Sequence, residues 1–242
     1  MKAKKTLGIL GGMGPMATVR FYENVVAHTL AERDADHINI IVTSRADIPD
    51  RTDYILGRST ESPLPKMLND AMTLAGAGAD IIAIPCNTAR FFHSELEAGV
   101  HIPVLDIVRE TAEHVKLRGY KRAAILGTEG TVKIGSYKRA LDALGVEGVD
   151  PDADTQALVT SIIYDYVKAG RPGGERIFNE VANRMFDRGC ECLILGCTEL
   201  PLAAPADERS IDSLEVLAYR SIVLCGGTPT GFETEFLSAY EK

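Results

Sequence analysis

The chain has no apolar segment approaching the roughly 20 residues needed to span a bilayer, so no transmembrane helix is expected. Its first 19 residues have a basic end and an apolar run, but Gly11, Gly12, Gly14 and Pro15 break the run and Arg20 ends it. That pattern fits a first strand and turn, not a signal peptide. No low-complexity stretch or long linker interrupts the 242 residues. An excess of basic charge is also missing. The formal net charge is −8, with Lys and Arg scattered among acids, which argues against a nucleic-acid or anionic-membrane surface and for a small-molecule partner. Five cysteines, an odd number without secretory context, point to free thiols in a reducing cytoplasm. With 45% hydrophobic and 25% charged residues the chain reads as a soluble globular protein. Its length lets it bury roughly 70% of its surface with neither disulfide nor metal.

What the chain does contain is a repeat. Asp80-Ile81-Ile82-Ala83-Ile84-Pro85-Cys86-Asn87-Thr88 is a short apolar run that stops at a cysteine, and Glu191-Cys192-Leu193-Ile194-Leu195-Gly196-Cys197-Thr198-Glu199 echoes it. Aligning Gly78 with Gly189 sets Cys86 over Cys197 without a gap. Runs of this kind fit parallel strands buried on both faces, and in open parallel sheets ligands bind beyond the carboxyl ends of the strands. Both cysteines are therefore expected to face ligand.

Two further stations repeat. Residues 6–10 read as a strand, Gly11 to Gly14 as a tight turn, and Pro15 as the first position of a helix over 15–33. Residues 123–131 echo this opening, with Gly11 over Gly127 and Gly14 over Gly130. Residues 210–214 resemble residues 104–108. Between these stations the pattern predicts strands over 38–43 and 102–105 and helices over 64–76, 111–117, 136–144, 155–169 and 175–188. Residues 145–154 read as a loop. The expected fold is α/β, with two pseudo-symmetric, open parallel-sheet, Rossmann-like domains around a cleft. One spans residues 1–113, with 214–242 packing back on it; the other spans 114–213.

The repeat constrains the chemistry. Two strand-end cysteines facing one cleft from opposite sides would offer a thiol to each face of one carbon, the geometry for moving a proton. A thiol with a reference pKa near 8.5 is only a few per cent ionised at neutral pH, so it needs backbone N–H groups, a helix N-terminus or a cation beside it. Asn87 and Thr88, and Thr198 and Glu199, are the neighbours able to bind a carboxylate and stabilise the charge left by a departing α-proton. Cys190, Cys192 and Cys225 read as small buried hydrophobes, and their spacing lacks a fourth ligand for structural zinc. None of the five histidines falls in a repeated station, which leaves a cysteine–histidine protease poorly supported. Two other readings stay open. Gly12-x-Gly14-x-x-Ala17 matches a loose dinucleotide fingerprint, and Arg45 at the end of the second strand suits a 2′-phosphate, as in an NADP-binding oxidoreductase. A catalytically silent amino-acid-binding protein on the same scaffold is the other. Arg51 can be a solvated arginine or a guanidinium over the cleft, and a helix dipole would account for Lys168 without a ligand.

Gly8-Ile9-Leu10-Gly11-Gly12-Met13-Gly14-Pro15, Asp47-Ile48-Pro49-Asp50-Arg51, Pro85-Cys86-Asn87-Thr88-Ala89 and Leu195-Gly196-Cys197-Thr198-Glu199-Leu200-Pro201-Leu202 together resemble the cofactor-independent aspartate/glutamate racemases. The opening is similar to the aspartate racemase branch. The resemblance covers essentially the whole chain. It implies that Cys86 and Cys197 exchange an α-proton between L- and D-amino acids without pyridoxal phosphate or metal, that Arg51 and Lys168 engage the substrate's carboxylates, and that the enzyme is a homodimer. Met13 in the first turn, and Thr128 and Thr131 in its echo, join Asn87, Thr88, Thr198 and Glu199 as expected substrate contacts. Arg90 departs from the family pattern, which often has His there, and the substrate's side chain is correspondingly open.

Overall fold

The computed structural model describes residues 4–205, 207–232 and 234–237; the ends of the expected segments 1–113 and 214–242 lie outside these. In chain order the first half contains β1 (Thr6–Gly11), α1 (Pro15–Ala27), β2 (Asn39–Ser44), α2 (Arg51–Ile55), α3 (Leu64–Gly76), β3 (Ile81–Ala83), α4 (His93–Gly99) and α5 (Ile107–Leu117). The second half contains β4 (Arg122–Gly127), α6 (Glu129–Ile134), α7 (Ser136–Ala143), β5 (Glu147–Val149), α8 (Ala153–Ser161), α9 (Gly174–Asp187), β6 (Cys192–Gly196), β7 (Ser210–Asp212), α10 (Ser213–Leu224) and α11 (Thr234–Leu237).

Two parallel sheets result, in the orders β2-β1-β3 and β5-β4-β6-β7. Val104 extends the first sheet by a single parallel bridge to Ile82, so each sheet has the same order of stations. The central strands β1 and β4 are wholly buried after their first residue, as strands covered on both faces must be.

Four elements differ from the sequence expectation, each for a visible reason. The strand expected over 102–105 shrinks to that one bridge because Pro103 has no N–H to donate to a ladder. The helix expected to reach residue 33 stops at Ala27, because Thr29 and Leu30 pair instead with Pro229 and Thr228 of the C-terminal segment. The loop expected over 145–154 contains β5. Its Gly148 has no side chain because helix α7 crosses too close, and a Cβ there would lie 3.2 Å from Lys138 Cα. The helix expected over 155–169 starts at Ala153, capped by Asp152, and after Ser161 widens into a π-helical turn over Ile162–Val167 that ends at Lys168.

The halves share one core. Leu7, Ile9, Phe21 and Val25 of the first half pack in the same cluster as Ile125, Tyr137, Ile194 and Leu214 of the second. Helix α5 runs unbroken across residues 113 and 114 and packs on α7 and α10. Helix α10 returns to α1, where Arg20 pairs with the buried Asp212 at 2.8 Å. A rigid common core of this kind fixes the carboxyl ends of β3 and β6 relative to each other.

Candidate active site

The carboxyl ends of the two sheets meet at a small, tightly lined cleft. Both Cys86 and Cys197 line it, and so do Met13, Arg51, Asn87, Thr88, Thr128, Lys168, Thr198 and Glu199. Thr131 stands just behind the wall. Its hydroxyl lies 3.1 Å from those of Thr88 and Thr128, which are themselves 3.0 Å apart, so three buried hydroxyls from both halves satisfy one another. Gly130 permits this approach, since a Cβ there would lie 3.1 Å from Thr52 Cα and 3.2 Å from Thr88 Cγ2. Asp50, Thr52 and Tyr164 also line the cleft and were not anticipated. The first two flank Arg51, and Tyr164 sits four residues before Lys168, a helical spacing that could have flagged it.

The electrostatics are asymmetric. The Cys197 thiol donates to Glu199 Oε2 at 2.9 Å, and the Thr198 hydroxyl donates to the same oxygen at 3.2 Å. Burial first, and then the Glu199 carboxylate, hold the Cys197 pKa well above that of an ordinary thiol, while the Glu199 N–H and Lys168 oppose them. Lys168 Nζ stands 3.9 Å from Glu199 Oε1 and 4.7 Å from the centroid of the Tyr164 ring. Burial alone would lower its pKa, but Glu199, Cys197, Tyr164 and Cys86 outweigh burial and raise it, so the ammonium stays charged. Burial likewise pushes the Tyr164 phenol up, against a hydrogen bond to Thr52.

Arg51 is the opposite case. Its guanidinium donates to the carbonyls of Pro49 at 3.0 Å, Ile48 at 3.3 Å and Met13 at 3.5 Å. It makes no ion pair among the described residues, and its buried Nε has no acceptor. A half-buried cation held only by carbonyls lacks a counter-ion. The main-chain N–H groups of Asn87, Thr88 and Thr198 also donate to no protein acceptor among the described residues.

The residues that suggested a dinucleotide have other duties. Gly12, at φ +94°, is bare because a Cβ would lie 2.3 Å from the Arg45 carbonyl oxygen. The Arg45 guanidinium is bound to the buried Asp70 at 2.8 Å. The glycine turn thus serves a backbone crossing, and Arg45 is not free for a phosphate. Cys190, Cys192 and Cys225 are buried away from the cleft, and burial raises all three thiols, Cys225 to about 11. Among the described residues no group of three or more His, Cys, Asp and Glu side chains could hold a metal.

The family profile described as Asp/Glu/hydantoin racemase matches residues 10–221. The chain belongs to that family. Its members are isomerases, and among solved structures the aspartate racemase of Picrophilus torridus is 32% identical, with a TM-score of 0.84 over 97% of this chain and 99% of that one. An aspartate racemase homologue from Pyrococcus horikoshii is 26% identical, with a TM-score of 0.76 over 91% of this chain and 99% of that one. The broad specificity amino-acid racemase RacX of Bacillus subtilis is 31% identical over 63% of this chain and 67% of its own length. Glutamate racemase from Francisella tularensis shares the fold, at 18% identity and a TM-score of 0.66 over 98% of this chain and 92% of that one.

Within this racemase Arg90 does not line the cleft. It pairs with Asp106 at 2.6 Å, the same carboxylate whose other oxygen caps α5 by accepting from the Val108 and Arg109 N–H groups. No described helix is long and apolar enough to cross a membrane.

Proposed function

We propose that this chain interconverts the L and D forms of aspartate, glutamate or both, with Cys86 and Cys197 as the two bases. One observation carries the reading: the cysteines at the ends of equivalent strands line one cleft that also holds an unneutralised guanidinium. One thiolate takes the α-proton, the electron pair stays on the Cα as an enediolate-like charge, and the opposite thiol returns a proton to the other face. Neither pyridoxal phosphate nor a metal is called on.

The neighbours supply the rest. A substrate α-carboxylate would take the free N–H groups of Asn87, Thr88 and Thr198, and these strengthen their grip as negative charge moves onto it. Arg51 would neutralise the side-chain carboxylate, with Lys168 near it; that pairing supports an acidic substrate. Glu199, already accepting from the Cys197 thiol, keeps that thiol protonated and ready to return a proton; for the opposite enantiomer Glu199 would take this proton itself, leaving Cys197 as the base. The family's name also spans hydantoins, but a site with two cations beside two thiols favours the dicarboxylates.

The test is solvent exchange. L-Asp and L-Glu incubated in D2O without added cofactor are expected to lose the α-proton signal and accumulate the D-enantiomer. If neither substrate exchanges, the acidic racemase reading fails. The chain is further read as a cytoplasmic homodimer, on its likeness to the family; sedimentation at the mass of a single chain would remove the dimer.

A further inference from the structure

The sequence pattern assigned the Asn87 side chain to substrate, but both ends of its amide are occupied inside the protein. Its Oδ1 accepts from the Tyr137 hydroxyl at 2.6 Å, and its Nδ2 donates to Ser213 Oγ at 2.9 Å. The Ser213 hydroxyl in turn donates to the Leu195 carbonyl at 2.8 Å. All three side chains are buried, with exposures of 2%, 1% and 0% for Asn87, Tyr137 and Ser213. Burial raises the Tyr137 pKa, which keeps the phenol neutral and donating.

The ends of this chain of bonds are what matters. Asn87 directly follows Cys86, while Leu195 precedes Cys197 by two residues. A second contact runs parallel to the first. Gly196 is bare where the Tyr137 ring passes, and a Cβ there would lie 3.1 Å from Tyr137 Cε2. Tyr137 therefore touches the residue before one cysteine and holds the residue after the other. Both bridges join the end of the first sheet to the end of the second through residues within two positions of the two cysteines.

We propose that the Tyr137–Asn87–Ser213 chain is the spacer that sets the separation of the Cys86 and Cys197 sulfurs, making Tyr137 and Ser213 positioning residues for inversion. The proposal rests on the two-thiol reading above. A proton taken by one thiol can be lost to solvent and returned by that same thiol, which gives exchange with retention. Inversion needs the opposite thiol within reach during the life of the carbanion. A spacer that drifts would therefore penalise inversion and spare exchange, because abstraction uses one thiol and inversion uses two. Misplacement of a reacting group by about 1 Å can cost on the order of 10²-fold in rate.

The experiment follows one enantiomer in D2O by NMR for α-deuteration and by chiral chromatography for inversion, in the wild type, Tyr137→Phe and Ser213→Ala. Tyr137→Phe keeps the ring against Gly196 and removes only the hydroxyl, so it is the variant least disturbing to folding. The ratio of exchange with retention to inversion is expected to rise about tenfold or more in both variants. Because the ratio is taken within one sample, loss of folded protein cancels from it, whereas a merely structural role would lower both rates together. Variants at the wild-type ratio overturn the spacer and leave the two-thiol reading standing. A wild type that neither exchanges nor inverts overturns both.

Discussion

At the scale of single residues, Arg51 and Lys168 stand in different states before any substrate arrives. Lys168 already faces Glu199, whereas Arg51 has only carbonyls. A dicarboxylate entering the cleft should therefore gain most from Arg51. Charge-assisted hydrogen bonds contribute about 1.5–3 kcal/mol, so Arg51→Leu is expected to lower kcat/KM for Asp and Glu by roughly 10- to 100-fold. Lys168→Met should also cut turnover, since it removes the cation beside Glu199 and raises the cost of charge there. Steady-state kinetics on both acids check this. If both variants keep wild-type turnover, the acidic substrate is wrong even where racemisation stands. Asn87 carries a different lesson, because a residue type that fits a substrate contact is here also engaged by a phenol and a hydroxyl from far along the chain.

At the scale of elements, helix α5 joins the halves and carries a buried titratable group. His114 is held to a pKa of about 3, chiefly by burial and then by Arg118, and its ring stacks on Phe236 with centroids 4.4 Å apart. The unfolded chain takes up this proton near pH 6.5, while the folded chain refuses it until about 3. The stability tied to a neutral His114 is thus fully present above pH 6.5 and is lost as pH falls from 6.5 toward 3. Between pH 7 and pH 5 the loss from this group reaches at most about 2 kcal/mol. Urea melts at the two pH values are expected to differ less in His114→Leu than in the wild type; an equal difference would show that His114 contributes nothing to the acid sensitivity. The π-helical turn over Ile162–Val167 acts at this scale too, since it delivers Tyr164 and Lys168 to the cleft together.

At the scale of the molecule, two sheets with the same strand order bring equivalent strand ends to one cleft, which the two-base reading places on opposite sides of the substrate. Each enantiomer would then show its α-hydrogen to one cysteine only. Cys86→Ser and Cys197→Ser are expected to lose inversion by about 10²–10⁴-fold, because a hydroxyl is a far poorer base than a thiolate. Each should keep solvent exchange on one enantiomer, and the two variants should prefer opposite ones. Exchange assays on separate L and D samples read this directly. Wild-type inversion in both variants, or one shared preference, would end the two-base mechanism. The divide proposed between residues 113 and 114 falls inside α5, so any movement of the halves would have to bend that helix or turn about its ends.

By itself the sequence determined the repeat, the α/β class and the two cysteine-bearing strand ends, because buried parallel strands leave apolar runs and ligand-facing turns leave glycine and polar residues beside them. Local signals of this kind survive without contacts. They did not reveal β5, whose glycine is required by a crossing helix, nor the early end of α1, where pairing with residues 228 and 229 overrides helix propensity. Only the tertiary structure decided that Arg45 belongs to Asp70, that Arg51 has no counter-ion among the described residues and that the Asn87 amide bridges Tyr137 and Ser213. Each of these depends on which groups meet across long sequence separations, and residue type records what a side chain can bind without recording what reaches it first.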